Sequence, residues 1–129
     1  QVMAPELDEQ GFLIEGFNLK PALSEHSFRF ELVLMQQNKT KNTLRGNLKV
    51  NLIGSEKGKA KQYSINDLLS DQEQKSLTFG FKYFQVIEGE IRLPEDFQPE
   101  KVSVHATIFQ FKRKKGELTT VFDWVINHN

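Results

Sequence analysis

Three kinds of residue in this chain could do chemistry: histidines that ligate metals or move protons, carboxylates that act in pairs, and serines that attack. A zinc centre needs three or four ligands converging at once. The histidines, His26, His105 and His128, are far apart, and there is no cysteine. His26 falls in a turn, His105 alternates with valines and so should face outward, and His128 sits in the terminal tail. They read as solvated imidazoles, with no metal. Glu88 and Glu90 have the two-residue spacing that points side chains the same way from one strand, and could flank a sugar as paired carboxylates. They straddle Gly89 in what reads as a turn, where solvated acids are the ordinary outcome. There is no Gly-x-Ser-x-Gly elbow, and the glycines are scattered singly instead of gathered into a phosphate cradle. No catalytic residue and no cofactor is expected; the chain reads as a non-enzyme.

Binding to nucleic acid is the next class to weigh. Basic residues recur at Lys39 and Lys41, at Lys57 and Lys59, and from Arg113 to Lys115, with Phe109 and Phe111 just before the last group. Single-strand binders combine aromatic and basic residues in this way. Acidic stretches at Asp71 to Glu73 and Glu95 to Asp96 balance them, and the totals of 17 basic and 17 acidic residues leave no overall field. Lysine-rich turns also keep β-proteins from pairing at their edges. No nucleic-acid partner is expected. The absence of cysteine excludes a disulfide framework and thiol catalysis, and fits either redox compartment. No apolar run approaches the roughly 20 residues of a membrane-spanning helix, and no signal peptide is visible. The first residue is Gln1, not methionine, which reads as a processed product or an excised piece whose targeting segment went with the missing part.

The elements that would position these residues are strands. A chain of 129 residues favours one domain with a core of its own. Residues 1–10 are acidic and without period, a linker or tail; the domain runs over residues 11–127. Phe12 to Leu19 carries apolar residues on both parities, which predicts a bulge or face change near Gly16. Ser27 to Gln36 alternates cleanly, with Phe28, Phe30, Leu32 and Leu34 inward and Ser27, Arg29 and Glu31 outward. Leu44 to Leu52 and Lys61 to Ile65 read as a hairpin around the loop Gly54 to Lys59. Asn66 to Lys75 is the one stretch that could hold a helical turn, capped by Asn66.

Leu77 to Tyr83 alternates again, and after the turn-like Glu88-Gly89 a short strand runs from Glu90 to Leu93. Pro94 and Pro99 bracket a loop pinned by Phe97. Lys101 to Phe111 and Leu118 to Ile126 complete the set. About eight short strands separated by turn signals predict an all-β, antiparallel two-sheet β-sandwich of immunoglobulin-like architecture.

The final hairpin breaks the alternation. Val102, Val104, Ala106 and Ile108 share one parity while Phe109 and Phe111 take the other, and Val121 and Val125 oppose Phe122, Trp124 and Ile126. If Lys115-Gly116 is a two-residue turn, Phe109 lies across from Phe122 and Thr107 across from Trp124. Large aromatics are mostly buried, which favours a hairpin covered on both sides or shifted by a bulge. The sharper reading is an exposed aromatic strip of Phe109, Phe111, Phe122 and Trp124 used for recognition.

The run Phe81-Lys82-Tyr83-Phe84-Gln85, then Glu88-Gly89-Glu90-Ile91-Arg92-Leu93-Pro94, Phe97-Gln98-Pro99 and Val102 resembles a family of uncharacterised Gram-negative envelope proteins, a domain of unknown function. Asp96 stands where that family's pattern has glycine. The resemblance implies an amino-terminal membrane anchor and coiled coil upstream, with this β-domain facing the periplasm, tethered to the inner membrane. It supplies no catalytic residues. The function expected is therefore a non-catalytic protein-interaction or scaffolding domain that binds another envelope protein, touching the membrane only through the missing anchor. The alternative is a cell-wall glycan-binding module that stacks sugars on Trp124 and its neighbouring phenylalanines. A hydrolase would require Glu88 and Glu90 to converge in one cleft.

Overall fold

The computed structural model describes residues 11–37, 42–70, 77–110 and 112–127. The tail 1–10, the later part of the stretch expected to turn (71–75), Phe111 and His128 lie outside the described residues. Eight strands are present: β1 Phe12–Pro21, β2 Ser27–Gln36, β3 Leu44–Glu56, β4 Lys59–Ser64, β5 Leu77–Phe81, β6 Phe84–Arg92, β7 Phe97–Gln110 and β8 Arg113–Asp123. They form two antiparallel sheets, one ordered β1-β2-β6 and the other β4-β3-β7-β8, with β5 also pairing β3. In the lettering of immunoglobulin-type sandwiches these are A-B-E and C′-C-F-G. The β-sandwich expected from the alternation is the fold.

Where one face of a strand packs on the other sheet and one meets water, the period of two follows. Phe30, Leu32 and Leu34 of β2 are buried against Leu48, Val50 and Leu52 of β3 and Val102, Val104 and Ile108 of β7 in a single core cluster. The bulge expected near Gly16 lies between Ile14 and Gly16, and it keeps both Ile14 and Leu19 inside. The β3–β4 hairpin turns at Lys57 and Gly58, both with left-handed φ (53° and 80°), so β3 runs past Leu52 to Glu56. There the Glu56 carboxylate accepts the Tyr63 hydroxyl at 2.5 Å and, by that hydrogen bond, raises the phenol's pKa. The expected helical turn is a single 3-10 turn, Ile65–Leu68, and Ser64, not Asn66, caps it.

Two local readings are corrected. Glu88-Gly89 is no turn: both residues lie within β6, where Gly89 faces Phe30 across the ladder. A Cβ on Gly89 would come within 2.7 Å of the Phe30 ring, so the glycine makes room for an aromatic. Likewise Lys115-Gly116 is a register break, since Ile108 pairs with Gly116 and Phe109 with Lys114. The hairpin closes further out, with Gln110 against Arg113 and Lys112 at φ 65°.

Two crossings between sheets meet at one side chain. Gln36, the buried last residue of β2, donates both amide hydrogens, to the carbonyls of Asn42 and Lys82, each at 2.8 Å. Its backbone N–H also donates to the Tyr83 carbonyl. Asn42 precedes β3 and Lys82 precedes β6, so one amide holds two of the three points where the chain changes layers, the third being the step from β6 to β7. Gln36→Met keeps the volume and removes the donors, leaving two carbonyls short of a partner. It should cost about 1–3 kcal/mol in urea denaturation, against less than about 0.5 kcal/mol for Gln37→Met at the exposed neighbour.

Candidate functional site

The two outer faces of the sandwich differ. On the five-stranded sheet the outward residues are mostly polar, with half-buried Ile53, Phe109 and Val121 set singly among them: Lys101 meets Asp123 at 2.7 Å, His105 lies across from Thr119, and Lys49 follows in the same row. On the three-stranded sheet the register builds four outward rows. Leu13, Met35 and Phe84 form the first, and Gly16, Val33 and Val86 the second. Asn18, Glu31 and Glu88 form the third, and Lys20, Arg29 and Glu90 the fourth. One end of this face is thus apolar and the other charged. Phe84 is 63 % exposed and Val86 40 %, with Tyr83 beside them at 61 %. Leu13, Val33 and Met35 are half-buried. Singly exposed apolar residues are ordinary, but a contiguous set marks a surface that something covers.

The charged end is not balanced within itself. Arg29 reaches Glu90 at 3.8 Å, while Glu31 and Glu88 sit directly across from each other. Like charges opposite one another oppose strand pairing. Asn18 Nδ2 offers Glu31 a weak contact at 3.4 Å.

The four aromatics singled out in the sequence do not form one strip. Phe109 faces outward near the hairpin end, beside Arg45. Phe122 pairs with Val102 and faces inward, its ring stacked on Phe17 of the opposite sheet with 6.2 Å between centroids. Trp124 follows β8 and meets Phe28 edge-on at 5.4 Å, closing the sandwich end. Phe111 lies outside the described residues. The expected facing of Phe109 and Phe122, and of Thr107 and Trp124, fails because the hairpin closes beyond Lys115-Gly116. Closure at Gln110 and Arg113 displaces the pairing by eight positions, and the register break at Ile108/Phe109 leaves seven beyond it, an odd slip that moves Phe122 to the other face.

What sequence reasoning missed is the apolar end of the three-stranded sheet. The outward parity of β2 changes from Arg29 and Glu31 to Val33 and Met35, the same two-parity signal that drew attention to the last hairpin. Reading Glu88-Gly89 as a turn then hid the fact that Phe84, Val86 and Glu88 share a strand face with them.

The chemical candidates are placed as follows. Glu88 and Glu90 point outward from one strand on this face; Glu88 borders a hollow of about 170 Å³ with Asn18, Lys20, Arg29 and Glu31, and Glu90 is not among its walls. A hollow of about 780 Å³ is an open depression bordered by Glu25, His26, Asp67, Arg92 and Glu95. Among the described residues no three histidine or acidic side chains are grouped to hold a metal. A hydroxyl–imidazole–carboxylate chain does occur on the five-stranded face: Thr119 Oγ1 lies 2.6 Å from His105 Nδ1, and Glu117 Oε1 3.1 Å from Nε2. When the ring is neutral, the carboxylate fixes the proton on Nε2, so Thr119 donates to Nδ1. An activated hydroxyl also needs donors for a developing oxyanion and a recess for substrate. This one stands on the outward face of paired strands, as a cross-strand ladder.

Lys114, at 2.6 Å, and then His105 hold the Glu117 carboxyl below the usual carboxylate range. A depressed carboxylate adds stability above its unfolded pKa and loses it as pH falls through the folded value. Carboxyl-carbon NMR should therefore place the Glu117 midpoint below those of solvated glutamates, and Lys114→Ala should move it upward. A second expectation separates packing from surface. Phe122→Ala should cost about 2–3 kcal/mol in urea denaturation, as aromatic truncation against a core does. Phe84→Ala should stay within about 0.5 kcal/mol.

Fold and surface together define a two-sheet antiparallel β-sandwich with one mostly polar face and one face that is apolar over half its extent. The model of a family of unknown function (DUF6776) matches residues 1–104, and the chain belongs to that family. The match takes in Leu13, Val33, Met35, Phe84 and Val86, and ends before Phe109, Phe122 and Trp124. No curated protein and no solved structure shows a significant match.

Proposed function

We propose that this is a non-catalytic protein-interaction or scaffolding domain, and that it docks its partner on the outer face of the three-stranded sheet. The observation that carries the reading is the contiguous apolar set Leu13, Val33, Met35, Phe84 and Val86, open to solvent beside the charged rows. Apolar area supplies binding energy at about 25 cal/mol per Å² removed from water, and the adjoining charges orient what lands there. The setting we infer is the periplasmic side of a membrane-anchored envelope protein, supported by the resemblance over Phe79 to Val102. No described helix is long and apolar enough to cross a membrane, so an anchor would belong to another part of the protein. Phe122 and Trp124, which a glycan-binding reading would use as stacking platforms, are engaged with Phe17 and Phe28.

The test is a photo-crosslinking amino acid placed at Phe84 in the intact protein in cells, with Thr119 on the polar face as the control site. Discrete protein adducts from position 84 and none from 119 are expected. No adduct at 84, or the same adducts from both sites, would overturn the assignment of this face.

A further inference from the structure

We propose that the partner is a second copy of the same chain, joined edge to edge in antiparallel sense along β6, the outer strand that carries Phe84 and Val86. The inference rests on the reading just given and names its partner. β6 is an outer strand of its sheet. Its far end is occupied: Ser70 N–H donates to the Glu90 carbonyl at 2.8 Å, and Leu69 bridges to Ile91. Because alternate residues of a strand send their backbone groups the same way, that bond shows that Phe84, Val86 and Glu88 also turn their N–H and C=O away from β2. Among the described residues no backbone group pairs with this edge from Phe84 to Glu88.

Other edges carry the usual guards against pairing, β5 by being only five residues long. β4 bears the exposed Lys59 and Lys61, and β8 opens on Arg113, Lys114 and Lys115. β1 is bulged, ends in Pro21 and is bridged at Leu19 by Ile126. The window Phe84 to Ile87 has neither lysine, proline nor bulge, and it places the exposed Phe84 and Val86 on the open face directly beside the free backbone.

Charge complementarity selects a second copy and its direction. Residues 82–90 read KYFQVIEGE, with the cation at one end and the acids at the other. Paired in parallel, the acids would meet acids. Paired antiparallel about an axis at Gln85, Phe84 faces Val86 of the second copy, an aromatic–β-branched pair formed twice. Lys82, at the bend that leads into β6, then comes beside the end of the second copy's strand where Glu88 adjoins the unbalanced Glu31–Glu88 row. Each such cross-strand pair contributes a few tenths to one kcal/mol, and the two three-stranded sheets become one of six.

Sedimentation equilibrium over a range of concentrations tests this. The expected result is a mass rising from monomer towards dimer. Val86→Pro, which removes an outward N–H that β2 does not use, should abolish dimer while a thermal melt shows the fold retained. Lys82→Glu should weaken association about tenfold, because two attractive charge contacts between the copies become repulsive. Adding Glu88→Lys should restore it, a rescue that mere destabilisation cannot give. A monomer at every concentration overturns the pairing, and so does a dimer indifferent to Val86→Pro. A dimer that Lys82→Glu leaves unchanged, or that the double variant fails to restore, overturns the antiparallel register. Should the chain stay monomeric while a crosslinker at Phe84 captures a different protein, the docking face stands and only the identity of its partner falls.

Discussion

One buried amide ties the sandwich together. A two-sheet fold is assembled from strands that repeatedly leave one layer for the other, and each crossing leaves backbone carbonyls where neither ladder can satisfy them. Gln36 answers two such crossings at once, bonding the carbonyls of Asn42 and Lys82 with the two hydrogens of a single side chain. Asn42 leads into β3, the strand that pairs with β4, β5 and β7; Lys82 leads into β6, which completes the smaller sheet. The orientation of β6, and so of the face that carries Phe84 and Val86, follows from that anchor. A buried amide costs several kcal/mol when its groups are unmatched, so an apolar side chain in its place would leave both carbonyls unmet.

Much of this was legible in the chain because pleated strands between a core and water must alternate. β2 shows it most plainly: Phe30, Leu32 and Leu34 point inward at every second position, and the strand boundaries read from the pattern are those observed. The bulge at Gly16 was legible for a related reason, since apolar residues on both parities demand a slip. Glycine was the ambiguous letter. Gly89 and Gly116 each suggested a turn, yet one makes room for the Phe30 ring and the other lies at a break in register. A glycine reports that a side chain is unwelcome; whether the reason is local curvature or a neighbour from a distant strand is decided by tertiary packing, which spacing does not encode.

The candidate site was less legible than the fold, and the reason is parity. An aromatic cluster was visible near the C-terminal end, and Phe109 does lie on the face opposite Val102 to Ile108, but a register displaced by seven residues sends Phe122 into the core. The face now assigned is assembled from three strands distant in sequence, Leu13 from β1, Val33 and Met35 from β2, and Phe84 and Val86 from β6. No single stretch carries enough of it to stand out. The partial signal, Val33 and Met35 taking over the outward parity from Arg29 and Glu31, gains meaning only once the third strand is in register.

The arrangement of that face is also an argument about what the domain gives up. Glu31 and Glu88 face each other on adjacent strands, a placement that lowers the stability of the isolated sheet. Exposed Phe84 and Val86 likewise contribute less to folding than they would inside. Neither feature is required by the core, which is filled by the opposite parity of the same strands. Both become favourable on one condition, that an apolar surface carrying a cation is brought against them. The apolar rows then lose water, and the paired acids gain a counter-charge in surroundings of lower dielectric, where it counts for more. Were such a partner to cover it, affinity would come chiefly from the first and orientation from the second.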